Sequence, residues 1–340
     1  MIIRDLSLSN KPAWESLVKA TPESGFMQSW DWADFKAAQG QSVARLGLFE
    51  GEELRGGALV YSVGSPLAPL LLPHGPVLPW ADAAAAAEGA ELLRGRLAEM
   101  SARTGAPLAR FEPLLEGGVP PFLGKVSRAP LDLVPTPTLL TGISGGDDEL
   151  LGAMTQKGRY NVRLAERKGV ETRQVPAAEG LKDFYELFEL TSYRQNFDGE
   201  PLSFFEGLLG ALEPAGTARL YLSVYQGMLL AGAVALFYGG RATYLYGASS
   251  PFVRSAMAPY SLHWRVMRDA RAAGCKVYDF YGIAPEGAAD HAYSKFTGFK
   301  LRFGGRRSLT CGAQDLYFYP QLAALLRDAL TGSGKGACNV

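Results

Sequence analysis

Apolar and polar positions alternate in short blocks along the chain, and two distant blocks share one layout. From Ala44 to Tyr61, ARLGLFEGEELRGGALVY sets two apolar runs around a polar turn, with Gly56, Gly57 and Ala58 opening the second run. That pattern predicts a β-hairpin. ARLYLSVYQGMLLAGAVALFY, Ala218 to Tyr238, repeats it with ARL for ARL, a Gly-containing turn, then Leu229, Ala231, Gly232 and Ala233 against Leu54, Gly56, Gly57 and Ala58. A second pair follows in register: AEMSARTGAPLARFEP from Ala98 and RVMRDARAAGCKVYDFYG from Arg265 each read as a helix leaving through a glycine, Gly105 or Gly274, into a buried strand. Hairpins alternating with such αβ units predict mixed α/β layers, and two pairs in order predict an internal duplication.

The run from Gly146 through Val170 has a helical period, with Leu151, Met154, Gly158, Val162 and Ala165 three or four apart. Asp147, Asp148 and Glu149 suit its first turn, Lys168 its last, and Gly169 its stop. Residues about 130 to 146, rich in Pro, Thr and Gly, would join the halves. Leu181 to Leu190 reads as another helix followed by TSYRQNFDGEP, and TGSGKGACNV after Leu330 has little that could pack.

A length of 340 residues suits two domains. We place the first at 1–138, completed by 315–335, the second at 139–314, and a flexible tail at 331–340. The fold class expected is α/β (α+β): two tandem acetyltransferase-like, GNAT-like domains with mixed sheets. Neither a secretory signal nor an apolar run long enough for a membrane helix is visible, so a cytoplasmic location is expected. Cys275, Cys311 and Cys338 stand far apart, and His74, His263 and His291 show no metal-ligand spacing; disulfide, zinc and nucleophilic-hydrolase readings are disfavoured.

Charge narrows the picture further. Lys plus Arg and Asp plus Glu are both 34, so any polyanion must be met by a local patch. TQKGRYNVRLAERKGVE, Thr155 to Glu171, supplies one: Lys157 joins Arg159, Arg163 and Arg167, the arginines spaced four apart on one helical face. A solvated face offset by Glu166 is the plainer explanation; phosphate contact is the functional one. FMQSWDWADFKAAQG from Phe26 and YSKFTGFKLRFGGRR from Tyr293 interleave aromatic and basic residues, which can stack bases while neutralising phosphates or simply pack a core. The duplicated layout suggests an acetyltransferase-type fold, yet RSAMAPYSLHW from Arg254 lacks the glycines of the R/Q-x-x-G-x-G/A cofactor loop. Acyl-CoA is therefore disfavoured as donor, and no cofactor is expected.

Six motifs in order, FMQSWDWADFK, TQKGRYNVRLAERKGV, TSYRQNF, YLYGASS, AGCKVYDFYGI and FKLRFGG, resemble the Fem family of peptidoglycan-bridge aminoacyltransferases over nearly the full length. The resemblance implies two acetyltransferase-like domains and transfer of an amino acid from aminoacyl-tRNA to the side-chain amine at position three of the wall pentapeptide. Its implied partners are aminoacyl-tRNA and a UDP-linked or lipid-linked muramyl-pentapeptide, the latter bringing transient contact with the inner membrane surface. No long helical hairpin insertion is visible, as in the compact members. By motif position, Lys36, Arg194 and Tyr246 would bind the precursor. Phe299 and Lys300 would serve the tRNA acceptor end, with Phe299 stacking and Lys300 stabilising the reacting ester. Lys157, Arg159 and Arg163 are the residues expected to contact the tRNA backbone. The family's YDFGGI-like strand end appears here as YDFYGI, Tyr278 to Ile283. Asp279 and Glu112 end equivalent strands and read as buried structural carboxylates. Other readings are the same fold with a different amine acceptor, and an RNA-binding relative without catalysis.

Overall fold

The computed structural model describes residues 1–65 and 67–319; the expectations for residues beyond 319 lie outside the described residues. Two compact units form, Met1–Thr136 with the segment from Leu309, and Pro137–Ser308. The first unit holds β1 (Ile2–Asp5), α1 (Lys11–Ala20), α2 (Trp30–Ala38), the hairpin β2 (Ser42–Glu50) and β3 (Glu53–Ser62), β4 (Leu70–Pro73), α3 (Ala83–Thr104), β5 (Leu108–Glu112) and β6 (Ser127–Arg128). The second runs β7 (Thr138–Gly142), α4 (Asp147–Ala153), α5 (Gln156–Lys168), β8 (Glu171–Val175), α6 (Ala177–Gln195), α7 (Leu202–Leu212), the hairpin β9 (Ala218–Tyr225) and β10 (Met228–Tyr238), β11 (Arg241–Ser249), α8 (Ala258–Ala272), β12 (Val277–Gly282), α9 (Ser294–Lys300) and β13 (Arg306–Ser308). β14 (Gln314–Tyr317) then returns to the first sheet.

Each unit is built on a seven-stranded mixed sheet, ordered β1-β2-β3-β4-β5-β14-β6 in the first and β13-β7-β12-β11-β10-β9-β8 in the second. The same local chemistry produces the same device twice. A hairpin leads to a short strand, a helix crosses over, and the next strand pairs parallel: β4 with β5, and β11 with β12. In the first unit Asp82 caps α3 by accepting from the Ala84 and Ala85 N–H groups, and Gly105 ends it in a left-handed conformation at φ 75°. After α8, Gly274 does the same at φ 87°. Leu46, Leu48, Leu72 and Phe111 pack against Leu93 and Leu97 of α3 in one core; Val162 of α5 packs with Tyr278, Phe280 and Phe303 in the other.

Three local expectations need correction. The helical run from Gly146 to Val170 is two helices, because Thr155 stops the first and caps the second: its Oγ1 accepts from the Gly158 N–H while its own N–H donates to the Arg302 carbonyl. The segment around 130–146 contains a buried strand, β7, flanked by β12 and β13. Its threonines are tolerated inside because Thr138 donates to Asp279 and Thr141 to the Gly304 carbonyl. TSYRQ continues α6, which ends only where Asn196 turns left-handed. In FMQSWDWADFK, Trp30, Trp32 and Phe35 are buried, as is Phe303 in FKLRFGG, so those aromatics pack the interior.

Gly158 explains how α5 reaches the 301–303 turn. An ideal Cβ there would lie 2.1 Å from the Arg302 carbonyl oxygen, a backbone atom with little room to yield. Gly158→Ala is therefore expected to destabilise the second unit by roughly 1–3 kcal/mol, measured as a lowered thermal midpoint; an unchanged midpoint would show that the helix is not held this closely.

Candidate functional site in the second unit

The parallel strands β11 and β12 pair over only three residues, Arg241–Thr243 against Val277–Asp279, and then diverge. Backbone that leaves a ladder must find other partners. On β12 that role falls to Lys300, the last residue of α9, whose Nζ donates to the Gly282 carbonyl at 2.7 Å and lies 5.8 Å from the Tyr244 ring centroid on β11. Lys300 thus bridges the opening between the two strands. It is only 9% exposed, and burial holds its pKa down at about 8, against the opposing pull of Asp279. With one of its donors on Gly282, the ammonium keeps two more for a ligand.

The strand end that presents Gly282 is strained. Tyr281, where the family pattern has glycine, takes a left-handed φ of 62°, and the β12–β7 register shifts between Asp279 and Gly282. Asp279 holds this turn: Oδ1 accepts from Thr138 and from the Tyr281 N–H at 2.8 Å, and Oδ2 from Arg241 at 3.4 Å. Its oxygens are committed to structure.

A β-bulge decides which tyrosine faces Lys300. On β10, Val234 pairs with Tyr246 but Ala235 with Tyr244, so Leu245 is the extra residue and the two tyrosines point to opposite faces. Tyr246 packs among Phe188, Phe204 and Phe205 on the α6–α7 face, its ring 5.0 Å from that of Phe205. Tyr244 goes to the α8 face, 4.5 Å from His263. His263 is buried, shares a 2.8 Å hydrogen bond with the Tyr278 hydroxyl, and has its pKa lowered to about 3 by desolvation and the nearby Lys300 charge. It is neutral at pH 7.

The remaining expected site residues fall into separate environments. Phe299 is half-buried beside Lys300, its ring against Tyr260 at 5.0 Å and against His263 and Phe303 at 5.4 Å. Arg194, in the last turn of α6, donates to the Ser249 carbonyl at 2.8 Å and to the Ser249 hydroxyl at 3.2 Å, while its Nε is buried with no hydrogen-bond partner among the described residues. Burial, then the Arg254 charge, lowers its pKa. Lys36 lies in the first unit, buried in α2, with Nζ 5.9 Å from the Trp32 ring centroid and 5.8 Å from that of Phe35.

The basic stripe is less uniform than its spacing suggests. Arg159 folds back to donate to the Leu151, Gly152 and Met154 carbonyls at the end of α4. That is a C-terminal capping role. Lys157 and Arg163 are exposed and make no ion pair or hydrogen bond among the described residues. Because Thr155 and Gly158 dock on Arg302, the stripe begins beside the turn that follows Lys300. Tyr244 stands in the sequence only as a near neighbour of Tyr246, and His263 only as one of three histidines; the bulge that separates the tyrosines is not visible there.

A profile of the acetyltransferase (GNAT) domain family matches residues 156–294. Lipid II:glycine glycyltransferase of Staphylococcus aureus is 26% identical over 56% of this chain and 61% of its own length, so this chain spans about three-fifths of that relative. The crystal structure of FemX superimposes with a TM-score of 0.85, at 22% identity, covering 96% of this chain and 100% of FemX. A tandem GNAT protein from the clavulanic acid biosynthesis pathway shares the fold at a TM-score of 0.56 and 11% identity, covering 94% and 98%. Among the described residues no helix is long and apolar enough to cross a membrane. This chain is thus homologous to the staphylococcal glycyltransferase and shares the tandem GNAT-like fold of FemX.

Proposed function

We propose that this protein is an aminoacyltransferase that moves an amino acid from aminoacyl-tRNA to the side-chain amine of the peptidoglycan precursor's stem peptide. The observation that carries this reading is the buried Lys300 ammonium, fixed by Gly282 at the β11–β12 opening with donors to spare. The activity named for the staphylococcal relative, glycine transfer to lipid II, supports the acceptor class.

An aminoacyl ester is already activated, so the reaction needs alignment and a positive donor for the tetrahedral oxyanion. The neutral acceptor amine attacks the ester carbonyl, the C–N bond forms, and the C–O bond to the tRNA ribose breaks. The departing ribose oxygen takes a proton and the amine loses one. In this reading Lys300 faces the oxyanion and Phe299 packs the acceptor end. Arg194 and Lys36 are each assigned to phosphates of the precursor, and Lys157 and Arg163 to the tRNA backbone. Arg159 is reassigned to holding α4 against α5.

The donor is tested by supplying total tRNA charged with radiolabelled amino acids, alongside RNase-treated charged tRNA and acyl-CoA. Label reaching the precursor only from intact tRNA supports the proposal, and transfer from acyl-CoA alone would sink it. Reversing Lys157 and Arg163 to Glu is expected to weaken tRNA binding and lower the slope of log K against log salt by about 2. Loss of precursor binding with tRNA binding unchanged would show that the stripe faces the other substrate.

A further inference from the structure

Beside Lys300 stands a second donor that the proposed mechanism has not used. The Tyr244 hydroxyl makes no hydrogen bond among the described residues, although the side chain is half-buried and its ring is held by His263 at 4.5 Å. The oxygen is not among the sealed, unpartnered polar atoms, so it is open to a ligand. The strand is built to make room for the hydroxyl. Gly247 stands where a Cβ would lie 1.5 Å from the Tyr244 oxygen, so the phenol occupies the space a side chain at 247 would need. The bulge at Leu245 does the rest, sending Tyr244 to the Lys300 side and Tyr246 to the other.

We infer that Tyr244 and Lys300 form a two-donor cradle for a single carbonyl oxygen, with the phenol O–H as a neutral hydrogen-bond donor beside the ammonium. The inference rests on the acyl-transfer reading above and deepens it. Burial raises the phenol pKa, which keeps Tyr244 protonated and able to donate throughout the neutral range. His263 contributes as a positioning residue: neutral, tied to Tyr278, and packed on the Tyr244 ring. No covalent bond to Tyr244 is made, and its proton stays on the phenol as charge grows on the carbonyl oxygen and then recedes.

Tyr244→Phe keeps the ring and removes only the hydroxyl. In the assay with charged total tRNA and the lipid-linked and UDP-linked pentapeptides, kcat is expected to fall roughly 10- to 100-fold, with precursor KM, thermal midpoint and the pH at which activity falls all unchanged. Gly247→Ala, which must push the phenol aside, is expected to lower kcat in the same way while Tyr244 remains present. An unchanged kcat in Tyr244→Phe, or a loss confined to KM, overturns the cradle. If Lys300→Ala also transfers at the wild-type rate, the acyl-transfer reading of this site fails with it. If Lys300→Ala is inactive and Tyr244→Phe is not impaired, only the role of Tyr244 fails.

Discussion

Lys300→Met is expected to fold, to bind both substrates and to lose roughly 100- to 1,000-fold in kcat, the usual effect of removing an oxyanion donor. It is also expected to be more stable than the wild type at neutral pH. Burial lowers the Lys300 pKa from 10.5 to about 8, so between those values the unfolded chain binds a proton that the folded chain does not, and stability rises with pH across that window. Below pH 8 the folded protein carries the full desolvation cost of the cation. Removing the cation should return on the order of 2 kcal/mol, after allowing about 1 kcal/mol for the lost Gly282 hydrogen bond. The two changes have opposite signs, which a merely structural lysine would not produce. Activity of the wild type should decline as pH rises through about 8, where Lys300 loses its charge. Stopped-time transfer assays and thermal unfolding from pH 6 to 10 measure both.

The largest expected stability effect lies in the first unit. Glu112 ends β5 with no solvent exposure; Oε2 accepts from the Leu133 and Val134 N–H groups, and Oε1 has no hydrogen-bond partner among the described residues. Desolvation first, then the Asp132 charge, raises its pKa from 4.5 to about 8. The folded state therefore holds a proton that the unfolded chain releases above pH 4.5. The associated stabilisation is complete below that pH and is lost as pH rises through about 8, on the order of 4 kcal/mol in all. Glu112→Gln should remove this slope: close to wild type at pH 5, and markedly more stable at pH 9. Parallel unfolding curves at the two pH values would mean that Glu112 is ionised in the folded protein.

Both carboxylates noted in the sequence as structural are held by backbone N–H groups, but among different neighbours. Asp279 accepts from Thr138, Arg241 and the Tyr281 N–H, whereas Glu112, held by the Leu133 and Val134 N–H groups, has the Asp132 charge nearby and a raised pKa. A strand-end carboxylate reads the same in either case; the partners that surround it come from distant segments.

Two kinds of local signal were read correctly. The hairpins at Ala44–Tyr61 and Ala218–Tyr238 and the glycine exits at Gly105 and Gly274 depend on residue period and backbone freedom within a few positions, and each is in the fold. What depended on tertiary partners was not legible. β7 is a strand because β12 and β13 flank it, and the helix break at Thr155 exists because the Arg302 carbonyl, far along the chain, takes its N–H. The site shows the same division. Lys300 and Arg194 were nominated through motif resemblance, whereas the Arg159 capping role needed the end of α4, and the separation of Tyr244 from Tyr246 needed a one-residue register shift.

The most direct test of aminoacyl transfer is the mass of the product. Wild-type protein is incubated with total charged tRNA and each form of the muramyl-pentapeptide, and the peptide is fragmented by tandem mass spectrometry. The expected result is a gain of one aminoacyl residue located on the side-chain amine of the third stem residue, absent with Lys300→Met. A precursor unchanged in mass in both forms, or a modification independent of charged tRNA, would contradict the account.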